Sequence, residues 1–209
     1  MPRTTTSLPL RNTMSERLVF VGDSITDSHR DRENSSSLGD GYVAEIQADL
    51  PESAIVNVGI SGDRAVDLEA RWATDVEPSS PDVLTIYIGV NDTWRRFDRD
   101  DETSAEDFEA TVRRLLDTDV VRSSRLIFIE PFLLPINEAQ QGWLEDLAGK
   151  RAVIAKLASE LGAGFVPLHS LLTDAAGTDP ESVAPDGVHP SAHGARLIAD
   201  AWLEVFRAA

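Results

Sequence analysis

The 209 residues carry 36 Asp and Glu against 19 Lys and Arg, a formal charge of −17 at pH 7, with 42% hydrophobic residues and no cysteine. That size and apolar content fit one globular domain with a sizeable core, and the acidic excess disfavours nucleic acid and anionic membranes as partners. The missing cysteines remove thiol nucleophiles, disulfides and thiolate metal sites together, and no run approaches the roughly 20 apolar residues of a membrane-spanning helix.

Residues 1–13 offer Arg3 and Arg11 but only Leu8-Pro9-Leu10 as an apolar patch, too short for the hydrophobic region of an export signal. They are read as a disordered leader ahead of a single domain over residues 14–209, with a cytoplasmic location expected. The apolar run at 17–21 predicts a strand buried on both faces, and Gly22-Asp23-Ser24 directly after it sets a hydroxyl at the strand's carboxyl end. Open α/β sheets do their chemistry there. The polar segment 28–40 is too hydrophilic for core and reads as a mobile lip beside that serine, or else as an inert surface loop.

Strands follow at 54–58, 83–88, 126–129 and 164–168, each nearly continuous in apolar residues. Helical periodicity covers 42–50, 63–76, 104–120, 143–161 and 191–206, with Ser104 and Ser191 as caps. Strands alternating with helices predict α/β layering around a parallel sheet.

Three of the connections after strands carry chemistry. Ser24 is placed to attack a carbonyl, with its own N–H available to the developing oxyanion. After the second strand, Gly62 lets the backbone approach a ligand with no Cβ in the way. After the third, the Asn91 side-chain amide supplies another donor. Far downstream, Asp186-Gly187-Val188-His189-Pro190 offers an imidazole to take the Ser24 proton and a carboxylate to hold that imidazole. Without that distant pair Ser24 reads as a helix cap; with it, Ser24, Asp186 and His189 read as nucleophile, orienting acid and base. Asp23, Trp94 and Arg95 are candidates for substrate contact. Asp23 alternatively braces the loop, and the other two alternatively just pack. His189 and His193 stand four apart, but Pro190 and Ser191 put the helix start between them, so no metal pair is expected. Serine chemistry with N–H donors needs neither metal nor nucleotide, so no cofactor is expected.

Taken in order, Gly22-Asp23-Ser24, Gly62, Gly89-Val90-Asn91-Asp92 and Asp186-Gly187-Val188-His189 resemble the blocks of the SGNH (GDSL-type) hydrolase superfamily. The resemblance implies a three-layer α/β/α sandwich of flavodoxin type with a five-stranded parallel sheet in order 2-1-3-4-5. It also implies Ser24, Gly62, Asn91 and His189 as the namesake residues, with Asp186 completing the triad. The longer stretches Gly22-Asp23-Ser24-Ile25-Thr26-Asp27, Ala70-Arg71-Trp72, Gly89-Val90-Asn91-Asp92-Thr93-Trp94-Arg95 and Val188-His189-Pro190-Ser191 resemble intracellular acetylxylan esterases. That likeness implies removal of acetyl groups from small acylated sugars, although Pro185 stands where this subgroup is associated with a tryptophan. A lysophospholipase or thioesterase would use the same triad, and a silent carbohydrate-binding protein would share the fold. The sequence leaves the oligomeric state open, a homo-oligomer included.

Overall fold

A computed structural model describes residues 16–208; the leader expected at 1–13 lies outside them. Five strands form one sheet: β1 (Arg17–Gly22), β2 (Ala54–Asn57), β3 (Val83–Tyr87), β4 (Arg125–Ile129) and β5 (Gly164–Val166). All neighbours are parallel, in the order β2-β1-β3-β4-β5 implied by the resemblance. The chain steps outward from β1 to β2, then returns across β1 to β3. This reversal opens a crevice at the carboxyl ends of β1 and β3.

Alternation along each strand divides the core in two. Leu18, Phe20, Tyr87 and Ile129 face one side, where they pack with α2 (Tyr42–Asp49) and α11 (Ala192–Ala208). Val19, Val21, Ile86 and Phe128 face the other, against α3 (Ala65–Arg71), α5 (Ala105–Leu116) and α8 (Trp143–Leu161). Three layers result. The one polar residue inside β3, Thr85, is buried, and its hydroxyl accepts a 2.9 Å bond from Trp202 Nε1 of α11. Both expected caps form: Ser104 Oγ accepts from Asp107 N at 3.0 Å, and Ser191 Oγ from Gly194 N at 3.2 Å.

Several boundaries differ from the sequence reading. The helix expected at 63–76 begins at Ala65 and passes into a wider π turn at Trp72–Val76. The helix expected at 104–120 stops at Leu116, and the short α6 (Asp119–Arg122) follows. The strand expected at 164–168 ends at Val166, because Pro167 has no N–H for the ladder. Leu168 then opens α9 (Leu168–Ala176), a helix the periodicity did not reveal. Nor was α4 (Val90–Arg99) anticipated. Single turns complete the set: α1 (Ser24–Asp27), α7 (Glu138–Gln141) and α10 (Pro180–Val183). Among the described residues no helix is long and apolar enough to cross a membrane, and no group of three His, Asp or Glu side chains is arranged to hold a metal.

Candidate active site

β1 delivers Ser24 by turning abruptly into α1. Asp23 caps that turn, its Oδ1 accepting from Ile25 N at 3.0 Å. The strand end is so tightly packed that a Cβ on Gly22 would fall 2.3 Å from the Tyr87 carbonyl oxygen. Only glycine lets β1 and β3 converge beneath the serine.

The distant block arrives from the connection before α11. Asp186 Oδ1 accepts from the backbone N–H groups of Val188, at 2.9 Å, and His189, at 2.7 Å, which folds the loop around the carboxylate. Gln140 Nε2 holds the Asp186 carbonyl at 2.7 Å, and Leu134 N holds that of Gly187 at 2.8 Å. With the loop so fixed, Asp186 Oδ2 lies 2.6 Å from His189 Nδ1, and His189 Nε2 lies 2.9 Å from Ser24 Oγ. Nδ1–H donating to Asp186 leaves Nε2 to accept the serine proton.

Electrostatics follow the contacts. The hydrogen bond to Asp186 holds the His189 imidazolium above its ordinary 6.5, outweighing partial burial. Burial works to raise Asp186, but the ring and backbone N–H donors prevail and bring it to about 2. Asp23 is buried behind the serine, and burial pushes it up to about 7 against the pull of Ile25 N–H and His189. Its Oδ2 is buried with no protein partner among the described residues.

Gly62 and Asn91 are brought together from the ends of β2 and β3. Gly62 has φ +91, and a Cβ there would meet nothing within 4 Å, so its surroundings are open. Asn91 is 3% exposed; its Nδ2 donates to the Asp63 carbonyl at 3.0 Å, one residue past Gly62. In return the Asp92 carboxylate accepts from Ala65 N at 3.1 and 3.2 Å. Ser61 N donates to Asp27 Oδ2 at 2.9 Å, and Ile60 N to the Gly22 carbonyl at 3.0 Å, tying the Gly62 loop back to the serine turn.

A cleft of about 670 Å³ opens at Ser24 and His189. Its walls include Ser28, Arg32, Asp40, Tyr42, Ser61 and Ser191. The segment expected as a lip thus does line the site. It is laced to its surroundings: Arg30 Nε donates to the Gly59 carbonyl at 2.8 Å, Asn57 Nδ2 to that of Leu38 at 2.8 Å, and Arg32 pairs with Asp27.

Ser24, Asp186 and His189 therefore meet, with Gly62 and Asn91 adjacent to each other. Of the three candidates for substrate contact, Asp23 takes the bracing geometry. Trp94 packs its ring 6.1 Å from the His189 imidazole and 5.5 Å from Trp143. The Arg95 guanidinium lies 5.3 Å from the Trp94 ring centroid, and neither residue is among those lining the cleft, nor are Gly62, Asn91 and Asp186, which stand behind its wall of Ser24, Ser61 and His189. The sequence reading assigned no role to Arg71, which donates to Asp63 Oδ2 at 2.6 Å and to the carbonyls of Val58 at 2.8 Å and Gly22 at 3.3 Å. One guanidinium ties the end of β1 to both ends of the loop that follows β2. Its only sequence signal is the Ala70-Arg71-Trp72 stretch.

The family model for the GDSL-like lipase/acylhydrolase family matches residues 20–197. An acetylxylan esterase of Geobacillus stearothermophilus is 36% identical over 203 residues, covering 90% of this chain and 92% of that protein. The crystal structure of an acetylxylan esterase from that organism has a TM-score of 0.81 at 36% identity, covering 91% of this chain and 93% of the other. Its catalytic mutants among the similar structures replace a serine, an aspartate and a histidine. A protein from Parabacteroides merdae described as a GDSL-like lipase has a TM-score of 0.82 at 32% identity, covering 94% and 98% of the two chains. On the extent of these matches, the chain belongs to the GDSL-like lipase/acylhydrolase family.

Proposed function

We propose that this protein is a serine esterase that removes acetyl groups from acylated xylooligosaccharides through an acyl-serine intermediate. The observation that carries the proposal is the Asp186–His189–Ser24 relay, at 2.6 and 2.9 Å, opening into the cleft. Ser24 Oγ attacks the acetyl carbonyl as its proton passes to His189 Nε2. The imidazolium so formed is stabilised by Asp186. The N–H groups of Ser24 and Gly62 and the Asn91 amide receive the oxyanion. His189 then gives its proton to the departing sugar oxygen, the C–O bond breaks, and acetyl remains on Ser24. Water, deprotonated by His189, attacks the acetyl-serine; the collapse releases acetate and returns the proton to Ser24 Oγ.

Two features support a sugar substrate over a long acyl chain. Hydroxyl, guanidinium and carboxylate groups at Ser28, Ser61, Ser191, Arg32 and Asp40 suit a polyol; they share the wall with the apolar Ile25, Pro190, Ala192 and Ala195, so the cleft is not the predominantly apolar pocket that holds an extended acyl chain. Acetylxylan esterases are also among the proteins similar to this chain in sequence and in structure. Acetate release from acetylated xylooligosaccharides, measured beside nitrophenyl acetate and nitrophenyl octanoate, tests the proposal. Both acetyl substrates are expected to turn over faster than the octanoate. A clear octanoate preference defeats the deacetylase reading while leaving the triad standing.

A further inference from the structure

An amide can receive an oxyanion only through its nitrogen, so the proposed role of Asn91 depends on which way round its side chain is held. Asn91 and Arg95 stand four residues apart on α4 and share a face. Arg95 Nη2 donates to Asn91 Oδ1 at 3.3 Å, while Asn91 Nδ2 gives one N–H to the Asp63 carbonyl at 3.0 Å. Turning the amide over would press its NH₂ against the guanidinium and its oxygen against the Asp63 carbonyl. In a side chain so buried, both mismatches are costly. The second Nδ2 proton is left to receive a ligand.

The guanidinium is itself held. Asp98 accepts from Nη1, the Trp94 ring lies beside it, and only 14% of the Arg95 side chain is exposed. We propose that Arg95 is a positioning residue that locks the Asn91 amide nitrogen toward the reacting carbonyl, and whose fixed positive charge behind the amide oxygen strengthens the N–H as a donor. The inference rests on Asn91 being an oxyanion donor. It gives Arg95 a role different from the sugar contact considered on sequence grounds.

A double-mutant cycle separates these roles. Arg95→Met removes the donors and charge while keeping the stem, and is made with Asn91 intact and with Asn91→Ala. kcat and KM for nitrophenyl acetate are read alongside the thermal midpoint. Asn91→Ala is expected to lower kcat by about 10²- to 10³-fold, the usual cost of one oxyanion donor. Arg95→Met should lower kcat roughly tenfold with KM nearly unchanged, and have less than about a twofold effect once Asn91 is gone. Arg95→Lys, which keeps a donor and a charge, should recover part of the loss. An equal loss in both backgrounds overturns the inference, as does a raised KM at unchanged kcat, which would mark a substrate contact. Should Arg95→Met not fold, Asp98→Asn loosens the same guanidinium; its smaller kcat loss must likewise vanish without Asn91, and persistence overturns the inference. If Asn91→Ala alone leaves kcat intact, the donor reading falls and takes this one with it. If Asn91→Ala is costly and Arg95→Met harmless, only the Arg95 inference falls.

Discussion

Gly62→Ala separates backbone strain from loss of chemistry. At φ +91 an alanine pays for the left-handed region, about 1–2 kcal/mol. The loop has little freedom to escape that conformation, being held through Ile60 N on the Gly22 carbonyl, Ser61 N on Asp27 and Asn91 Nδ2 on the Asp63 carbonyl. The new methyl itself meets no protein atom within 4 Å. A protein of this length loses roughly 2–4 °C per kcal/mol, so the midpoint should fall by about 2–8 °C and the variant should fold. The rate should suffer far more. The methyl fills the opening beside the N–H, and impairment of one donor costs about 10²- to 10³-fold in kcat. Nitrophenyl acetate hydrolysis and thermal unfolding on the same preparation supply both readouts. A variant with the expected drop in midpoint but kcat within about threefold of the parent would refute Gly62 as a donor. A fall well beyond that range would show that the position is not open.

Attack by Ser24 requires neutral His189, whose pKa is held above 6.5 by the Asp186 hydrogen bond, so kcat/KM should rise with pH through a midpoint above 6.5. Asp186→Asn should lower that midpoint and reduce kcat by up to about 10⁴-fold, and a pH–rate profile with an unmoved midpoint would count against the pairing. For stability the signs differ between the buried Asp23 and the half-exposed Asp186. Asp23, raised by burial from 3.8 to about 7, binds its proton more tightly folded than unfolded, so it weakens the fold as pH climbs across that window, by on the order of 4 kcal/mol at the upper end. Asp23→Asn keeps an oxygen for Ile25 N and should gain stability relative to the parent between pH 4 and 8; urea titrations giving a constant difference would contradict this. Asp186, brought down to about 2, stabilises above its unfolded value and loses that contribution as pH falls toward 2, which Asp186→Asn unfolding curves at pH 2 and 6 should reveal.

The strands were legible because a sheet covered on both faces needs continuous apolar runs, as Val83-Leu84-Thr85-Ile86-Tyr87 shows, with every residue buried. The sheet order came from the resemblance to a family and not from periodicity. Helix α4 escaped although Val90, Trp94 and Phe97 stand at helical spacing, because the rest of its ten residues, Asn91, Asp92, Thr93, Arg95, Arg96, Asp98 and Arg99, are polar and three of them are buried beside Val90. It is fastened by polar contacts to distant chain, with Thr93 Oγ1 and Arg96 Nη1 both on Asp146 of α8 at 2.7 Å. At the site, Ser24, Asp186, His189, Gly62 and Asn91 stood out because each role demands one residue type. Arg71 and Asp92 did not, since a guanidinium or carboxylate reveals its partners only when Gly22, Val58 and Ala65 are folded against it. Arg95 was legible as a residue near the site but not as a partner of Asn91. That distinction lies in the orientation of one amide.

The proposed mechanism passes the acetyl group through Ser24. Mixing the enzyme with an acetylated xylooligosaccharide, quenching in acid during the first turnovers and mass-analysing the peptide that contains Ser24 tests this directly. The expected result is one acetyl group on Ser24, absent from the Ser24→Ala variant, which folds but releases no acetate. Acetate release by Ser24→Ala at the parent's rate, with no acetylated peptide from either protein, would contradict the account.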